Sequence, residues 1–140
     1  MMKMNPNPRP SVVLVDRSGP VLRAISQIVN LQFDVIRVAR DGLAAIDSVL
    51  KLRPDVLVLD LILPDLDGFQ VIRRLKNLKS RSRFVVLTEL EDPEYIDAAK
   101  AAGANAFVFK RKAPEDLLHA IAAVLAERTF VSGEPSQSGK

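Results

Sequence analysis

Apolar runs rich in β-branched residues alternate along the chain with stretches whose apolar positions recur every three and four residues. SVVLV at 11–15 reads as a buried strand, and Pro20, a favoured first-turn residue, opens a helix with Val21, Leu22, Ile25, Ile28 and Val29 on one face. FDVIRVA at 33–39 is a second strand. Gly42 then precedes LAAIDSVLKL, where Leu43, Ile46, Val49 and Leu50 keep helical spacing until Pro54 stops the helix. DVLVLDLIL at 55–63 is a continuous apolar run, the pattern of a strand buried on both faces of a parallel sheet. Gly68 leads into the helix FQVIRRLKNL, and RFVVLT at 83–88 is a fourth strand. Asp92-Pro93 starts a helix that Gly103 ends, and ANAFVFK at 104–110 is a fifth strand. Pro114 opens a last helix, through about Arg128, with Leu117, Leu118, Ile121, Val124 and Leu125 inward.

Five strand-then-helix units joined by short connections close as a parallel sheet with right-handed crossovers and helices on both faces. The ends differ in kind: residues 1–10 carry three prolines and two asparagines, and 132–140 read SGEPSQSGK. One domain is expected over 11–130, with residues 1–10 and 131–140 as disordered terminal segments. A content of 48% apolar and 26% charged residues supports one sizeable core. The chain has no cysteine, which excludes a disulfide scaffold, a thiolate metal site and a cysteine nucleophile. Its one histidine, His119, reads as a surface or boundary residue of the last helix and rules out a multi-histidine metal site. No apolar stretch is long enough for a membrane span and the first residues lack the apolar segment of a signal peptide, so a cytoplasmic protein that does not engage membrane is expected. The net charge of +3 is too small to argue for nucleic acid. Arg73, Arg74, Lys76, Lys79, Arg81 and Arg83 form a run with no acid between them, which reads as a solvated helix end and loop in preference to a phosphate-binding patch.

In open parallel sheets ligands gather at the carboxyl ends of the strands. The first strand ends in Asp16-Arg17, the third in Asp60, the fourth in Thr88-Glu89 and the fifth in Lys110-Arg111, while the second ends less informatively in Ala39-Arg40-Asp41. Two acids, a hydroxyl and an ammonium can hold a transferring phosphoryl group as nucleophile, hydrogen-bond donor and cationic clamp. Asp60 is the informative member, because a carboxylate at the margin of so apolar a run is costly unless a metal or a cation compensates it. Asp65 and Asp67 read as turn residues.

These residues resemble the response-regulator receiver domains of two-component signalling, the CheY-like superfamily. The likeness covers residues 11–129 and rests on LVD at 14–16, VLVLDLILPDLDG at 56–68, VVLT at 85–88, GANAFVFK at 103–110 and the helix start APEDLLHAI. It implies a flavodoxin-like (βα)5 three-layer sandwich with a five-stranded parallel sheet in the order 2-1-3-4-5. It further implies Asp60 as phosphoacceptor, Lys110 and Thr88 as its catalytic partners, Thr88 and Phe107 as a switch pair, and Mg2+ held by Asp16, Asp60 and the backbone carbonyl of Ile62. Phe107 also reads simply as a core aromatic beside Val108 and Phe109. The last helix is similar to those of receivers that precede a helix-turn-helix output domain; with no such segment after Phe130, a stand-alone receiver is expected.

The departures are as specific as the matches. Receivers usually carry two adjacent acids after the first strand, and here Arg17 takes the second place, a swing of two charges that weakens a divalent-ion site. Arg17 either reaches Asp16 or Asp60 as a surrogate cation or points into solvent. Arg111-Lys112 stand where a proline usually follows the lysine, giving a looser or more basic loop, and Glu89 either repels an anionic donor or lies outward. Ile62 and Leu90 are apolar where a polar group would orient hydrolytic water, so slow loss of a phosphoryl group is expected. The expected function is two-component phosphorelay signalling: Asp60 receives a phosphoryl group from a histidine kinase or phosphotransfer protein, and a downstream protein target or a second copy binds the face of the fourth helix, fifth strand and fifth helix. The protein is then not an enzyme beyond its own phosphoryl transfer and slow dephosphorylation. The alternative is a phosphorylation-independent pseudo-receiver acting as an interaction module.

Overall fold

The computed structural model describes residues 8–134, so the expectations for residues 1–7 and 135–140 fall outside the described residues. The strands are β1 (Ser11–Val15), β2 (Asp34–Ala39), β3 (Val56–Leu59), β4 (Arg83–Thr88), β5 (Ala106–Phe109) and β6 (Phe130–Val131). Five α-helices connect them: α1 (Gly19–Val29), α2 (Gly42–Leu52), α3 (Gly68–Asn77), α4 (Pro93–Ala102) and α5 (Ala113–Leu125). All pairings are parallel, in the order β2-β1-β3-β4-β5-β6.

The pleat divides each central strand between two cores. Val13, Val15, Leu57, Leu59, Phe84 and Val86 pack with Ala45 and Val49 of α2, Val71, Ile72 and Leu75 of α3, and Ala99 of α4. Val12, Leu14, Val56, Val58, Val85 and Leu87 point the other way, against α1 and α5 through Leu22, Ile25, Leu117 and Ile121. The result is the expected three-layer, doubly wound parallel sandwich. Among the described residues no helix is long and apolar enough to cross a membrane.

Three details correct the sequence reading. Among the described residues the sheet has six strands where five were expected: Phe130 and Val131 pair with Ala106 and Phe107. Ser132 extends this attachment, donating its N–H to the Phe107 carbonyl at 2.9 Å and accepting from the Phe109 N–H at 3.1 Å. Val131 and Ser132, assigned to a terminal tail, are therefore buried. β5 would otherwise leave a row of edge groups unpaired. Second, β3 stops at Leu59, before Asp60, because Leu61 and Leu63 turn into the core under α2 and α3 and no longer follow the strand. Third, residues 8–10 lead into the sheet: Arg9 donates to the Leu31 carbonyl at 2.7 Å, and the Pro10 carbonyl accepts from the Asp34 N–H at 3.0 Å.

Candidate functional site at the carboxyl edge

Register places the two central acids side by side. Val15 of β1 pairs with Leu59 of β3, so Asp16 and Asp60 leave the sheet at the same height on adjacent strands. Thr88 pairs with Phe109, which puts Lys110 one residue beyond. The Lys110 Nζ lies 2.7 Å from Asp16 Oδ2 and 2.8 Å from Asp60 Oδ2, bridging acids that are 1% and 3% exposed. Backbone amides hold the other oxygens: Ser18 N–H donates to Asp16 Oδ1 at 2.9 Å, and Leu61 N–H to Asp60 Oδ1 at 2.7 Å.

Burial alone lowers an ammonium's affinity for its proton, but the hydrogen bonds and charges of Asp16 and Asp60 outweigh it and leave the Lys110 pKa above its ordinary value. Two carboxylates share one cation, so the cluster carries a net charge of −1. Thr88 is fully buried at the end of β4, and its Oγ1 accepts from the Leu90 N–H at 3.3 Å. Phe107 is 1% exposed and stacks edge-on against Phe109, with centroids 6.2 Å apart.

The loop after Asp60 is braced from behind. Asp67 caps α3 by accepting from the Gln70 N–H at 2.9 Å, and Gln70 Oε1 accepts from the Asp67 N–H at 3.1 Å, a capping box. Asp65 is more than a turn residue, since it accepts from the N–H groups of Gly42, Leu43 and Leu66 and so docks the start of α2 on this loop. Its exposed carboxyl titrates below the ordinary range because those amide bonds overcome the desolvation that opposes them. Gly68 packs so closely that a Cβ there would stand 2.5 Å from the Asp60 carbonyl oxygen and 2.9 Å from the Leu61 Cα. Gly68→Ala is therefore expected to cost about 1–3 kcal/mol despite alanine's better helix propensity, because backbone atoms must move. A urea melt matching the parent would refute this.

Arg17 is exposed and, among the described residues, forms no ion pair. Its carbonyl accepts from Arg40 Nε at 3.0 Å and Nη2 at 2.7 Å, so the chain has Arg17 directed outward, and Lys110 is the cation between the acids. Glu89 is exposed as well, and Ile62 is 39% exposed on the loop after Asp60.

The sequence reading missed Glu91. Arg111 donates to it through Nε at 2.7 Å and Nη2 at 2.9 Å, and the guanidinium also sits 5.5 Å from the Phe109 ring centroid. The Arg111 hydrogen bonds hold the Glu91 carboxyl below its usual range. The loop after Lys110 is thus a 3-10 turn tied to the β4–α4 loop, where a looser segment was one of two expectations. Opposite charges twenty residues apart give no periodic signal, so only the fold reveals the clasp.

One oxygen of Asp16 and one of Asp60 approach the same point, now met by Lys110 Nζ within 2.8 Å. Mg2+ commonly binds through one or two carboxylates, with waters and phosphate completing its shell, so this pair fits it. Among the described residues no cluster of three or more acids or histidines adds to the pair.

Residues 12–122 match the family model for the response regulator receiver domain. The Fimbriae Z protein of Salmonella typhimurium is 29% identical over 129 residues; the match covers 90% of this chain and 61% of that protein, so the chain spans about six tenths of its length. A two-component response regulator of the LuxR family from Aurantimonas superposes with a TM-score of 0.86 at 27% identity, covering 89% of this chain and 91% of that one. The isolated receiver domain of RcsB from Salmonella enterica serovar Typhimurium, solved with the phosphomimetic BeF3−, gives a TM-score of 0.82 at 27% identity, with 89% and 94% covered.

Proposed function

The chain belongs to the response regulator receiver domains, CheY-like signalling domains of two-component systems and not classical enzymes, and on that premise we propose that Asp60 accepts a phosphoryl group from a histidine kinase or phosphotransfer protein. The observation that carries this reading is the buried bridge of Lys110 between Asp16 and Asp60. An Asp60 oxygen forms the bond to phosphorus as the donor's phosphorus–nitrogen bond breaks, and the leaving imidazole keeps the electron pair and takes a proton. Lys110, already against Asp60, shifts onto a phosphoryl oxygen, and the Thr88 hydroxyl exchanges the Leu90 amide for a second. Asp16, Asp60 and the Ile62 carbonyl would hold Mg2+, which supplies neutralisation of phosphoryl charge when bound. The RcsB receiver was solved with a phosphoryl mimic, which supports the same chemistry on a similar fold.

Movement of Thr88 biases Phe107, which pairs with Val86 two residues earlier on β4, and the output is a changed surface of α4, β5 and α5 that a protein target or a second copy binds. Ile62 and Leu90 offer no polar side chain to orient water, so the acyl phosphate is lost slowly. The deciding experiment incubates the protein with acetyl phosphate, with and without Mg2+, and follows the intact mass. A Mg2+-dependent, base-labile gain of one phosphoryl group is expected.

One observation favours the interaction-module alternative: a cationic residue occupies the place of the second acid. Arg17→Asp turns the nearby charge from +1 to −1 and should tighten Mg2+ binding about tenfold, a Coulomb effect of order 1–2 kcal/mol across a solvated loop. Calorimetric titration with MgCl2 measures this directly, and equal affinities would show that Arg17 lies too far out to matter. Absence of label from both the parent and Arg17→Asp leaves the phosphorylation-independent module as the reading.

A further inference from the structure

The opposite edge of the sheet holds a cavity of about 780 Å3 that phosphoryl chemistry does not use. It opens between the carboxyl ends of α2 and α3 and the entries to β3 and β4, with Leu125 of α5 on one wall. Its size lies within the roughly 300–1,000 Å3 typical of binding sites. Val49 and Pro54 are buried in its lining, while Leu50 and Leu78 at the margin are 48% and 56% exposed.

The basic run noted in the sequence ends here. Lys79 and Arg81 line the cavity with Arg53, and none of the three is ion-paired among the described residues. Arg83 is held by Glu127, and the Asp55 carboxylate accepts from Ser11 N–H at 2.8 Å and its hydroxyl at 3.2 Å. Three cations are therefore uncommitted.

Two of them stand in a conformation that disfavours them. Arg53 follows α2 with φ 49° and Lys79 follows α3 with φ 64°, helix-end positions where glycine is the unstrained choice. A cation at a helix carboxyl end gains from the dipole, yet that gain does not explain why uncommitted arginine and lysine flank a cavity that also exposes Leu50 and Leu78 among its charged and hydroxyl side chains. Glu127 after α5 has φ 63° as well and does not line this cavity, so the conformation belongs to the helix ends, and what sets Arg53 and Lys79 apart is charge without a partner among the described residues.

The same helix ends select the ligand. α2 and α3 end at the cavity, where Arg53, Lys79 and Arg81 outweigh the partial negative charge of about half a unit at each carbonyl end, so the margin attracts anions. An apolar group suits the centre and carboxylates suit the margin. We propose that this cavity docks an acidic segment of a partner protein, with an apolar anchor between Leu50 and Leu78 and flanking carboxylates on Arg53, Lys79 and Arg81. The site lies at the far ends of the strands from Asp60, so it acts whether or not Asp60 is modified.

Fluorescence anisotropy with a fluorescein-labelled peptide, EEDLFEDE, tests this on the full chain. Binding is expected that weakens with added salt, while the lysine counterpart KKKLFKKK does not bind. The double variant Arg53→Gly/Lys79→Gly should lose at least tenfold in affinity with a melting temperature no lower than the parent's, since glycine relieves the strain. Arg81→Glu and Leu78→Ser should each lose at least threefold, and Asp60→Asn should bind as the parent does. No binding by the parent, full binding by the glycine double variant, or displacement by oligo-dT at equal charge concentration would each overturn the proposal, the last by marking a nucleic-acid strip.

Discussion

Asp60→Asn is expected to abolish phosphoryl labelling while leaving stability within about 1 kcal/mol of the parent. The two outcomes have separate causes. An amide lacks the anionic oxygen that attacks phosphorus, so the mass gain should vanish at every Mg2+ concentration. For stability, the parent has two carboxylates on one ammonium, so removing a charge relieves like-charge repulsion between Asp16 and Asp60. Against that, the asparagine must face either Lys110 or the Leu61 N–H with its own N–H2, a donor meeting a donor. These effects oppose and are similar in size. A label that survives in Asp60→Asn would place the acceptor elsewhere, and a loss of several kcal/mol in a urea melt would show that the carboxylate organises the fold.

Much of this site can be read from the sequence because burying an ion leaves a mark. Asp60 stands out against the surrounding VLVL and LIL, and the need for a cation beside it points to a lysine at another strand end. The parallel layers follow as directly, since the side-chain period changes from two in strands to 3.6 in helices. What stays hidden depends on contacts distant in sequence or on direction. β6 is two residues long and earns its place only by covering the edge of β5. The Arg111–Glu91 clasp joins two loops, and Asp65 looks like any turn acid until the start of α2 is brought to it. Arg17 left two directions open, because a loop side chain has no periodic partner; its carbonyl's bonds to Arg40 accompany the outward course. The length of β3 was overestimated for a related reason: Leu61 and Leu63 are apolar because they pack in the loop beneath α2 and α3, and hydrophobicity does not distinguish that from a strand.

Lys110→Met should be the most destabilising single change at the site, by about 2–4 kcal/mol at neutral pH. Breaking a buried ion pair costs roughly 3–5 kcal/mol, and the lower range allows for a partly solvated lysine. Its side chain is 17% exposed against 2% and 4% for the acids. In the parent, the raised Lys110 pKa means that its contribution is fully present below the unfolded ammonium's value, about 10.4, and is lost as pH rises through the higher folded value. Between pH 5 and pH 8 that contribution is constant. In Lys110→Met the two adjacent buried acids lose the cation between them, so paired urea titrations at pH 7 should show the full deficit. Phosphoryl labelling should fall with it, since the clamp on the incoming oxygens is gone. A deficit below about 1 kcal/mol would mean that water, and not Lys110, already compensates Asp16 and Asp60.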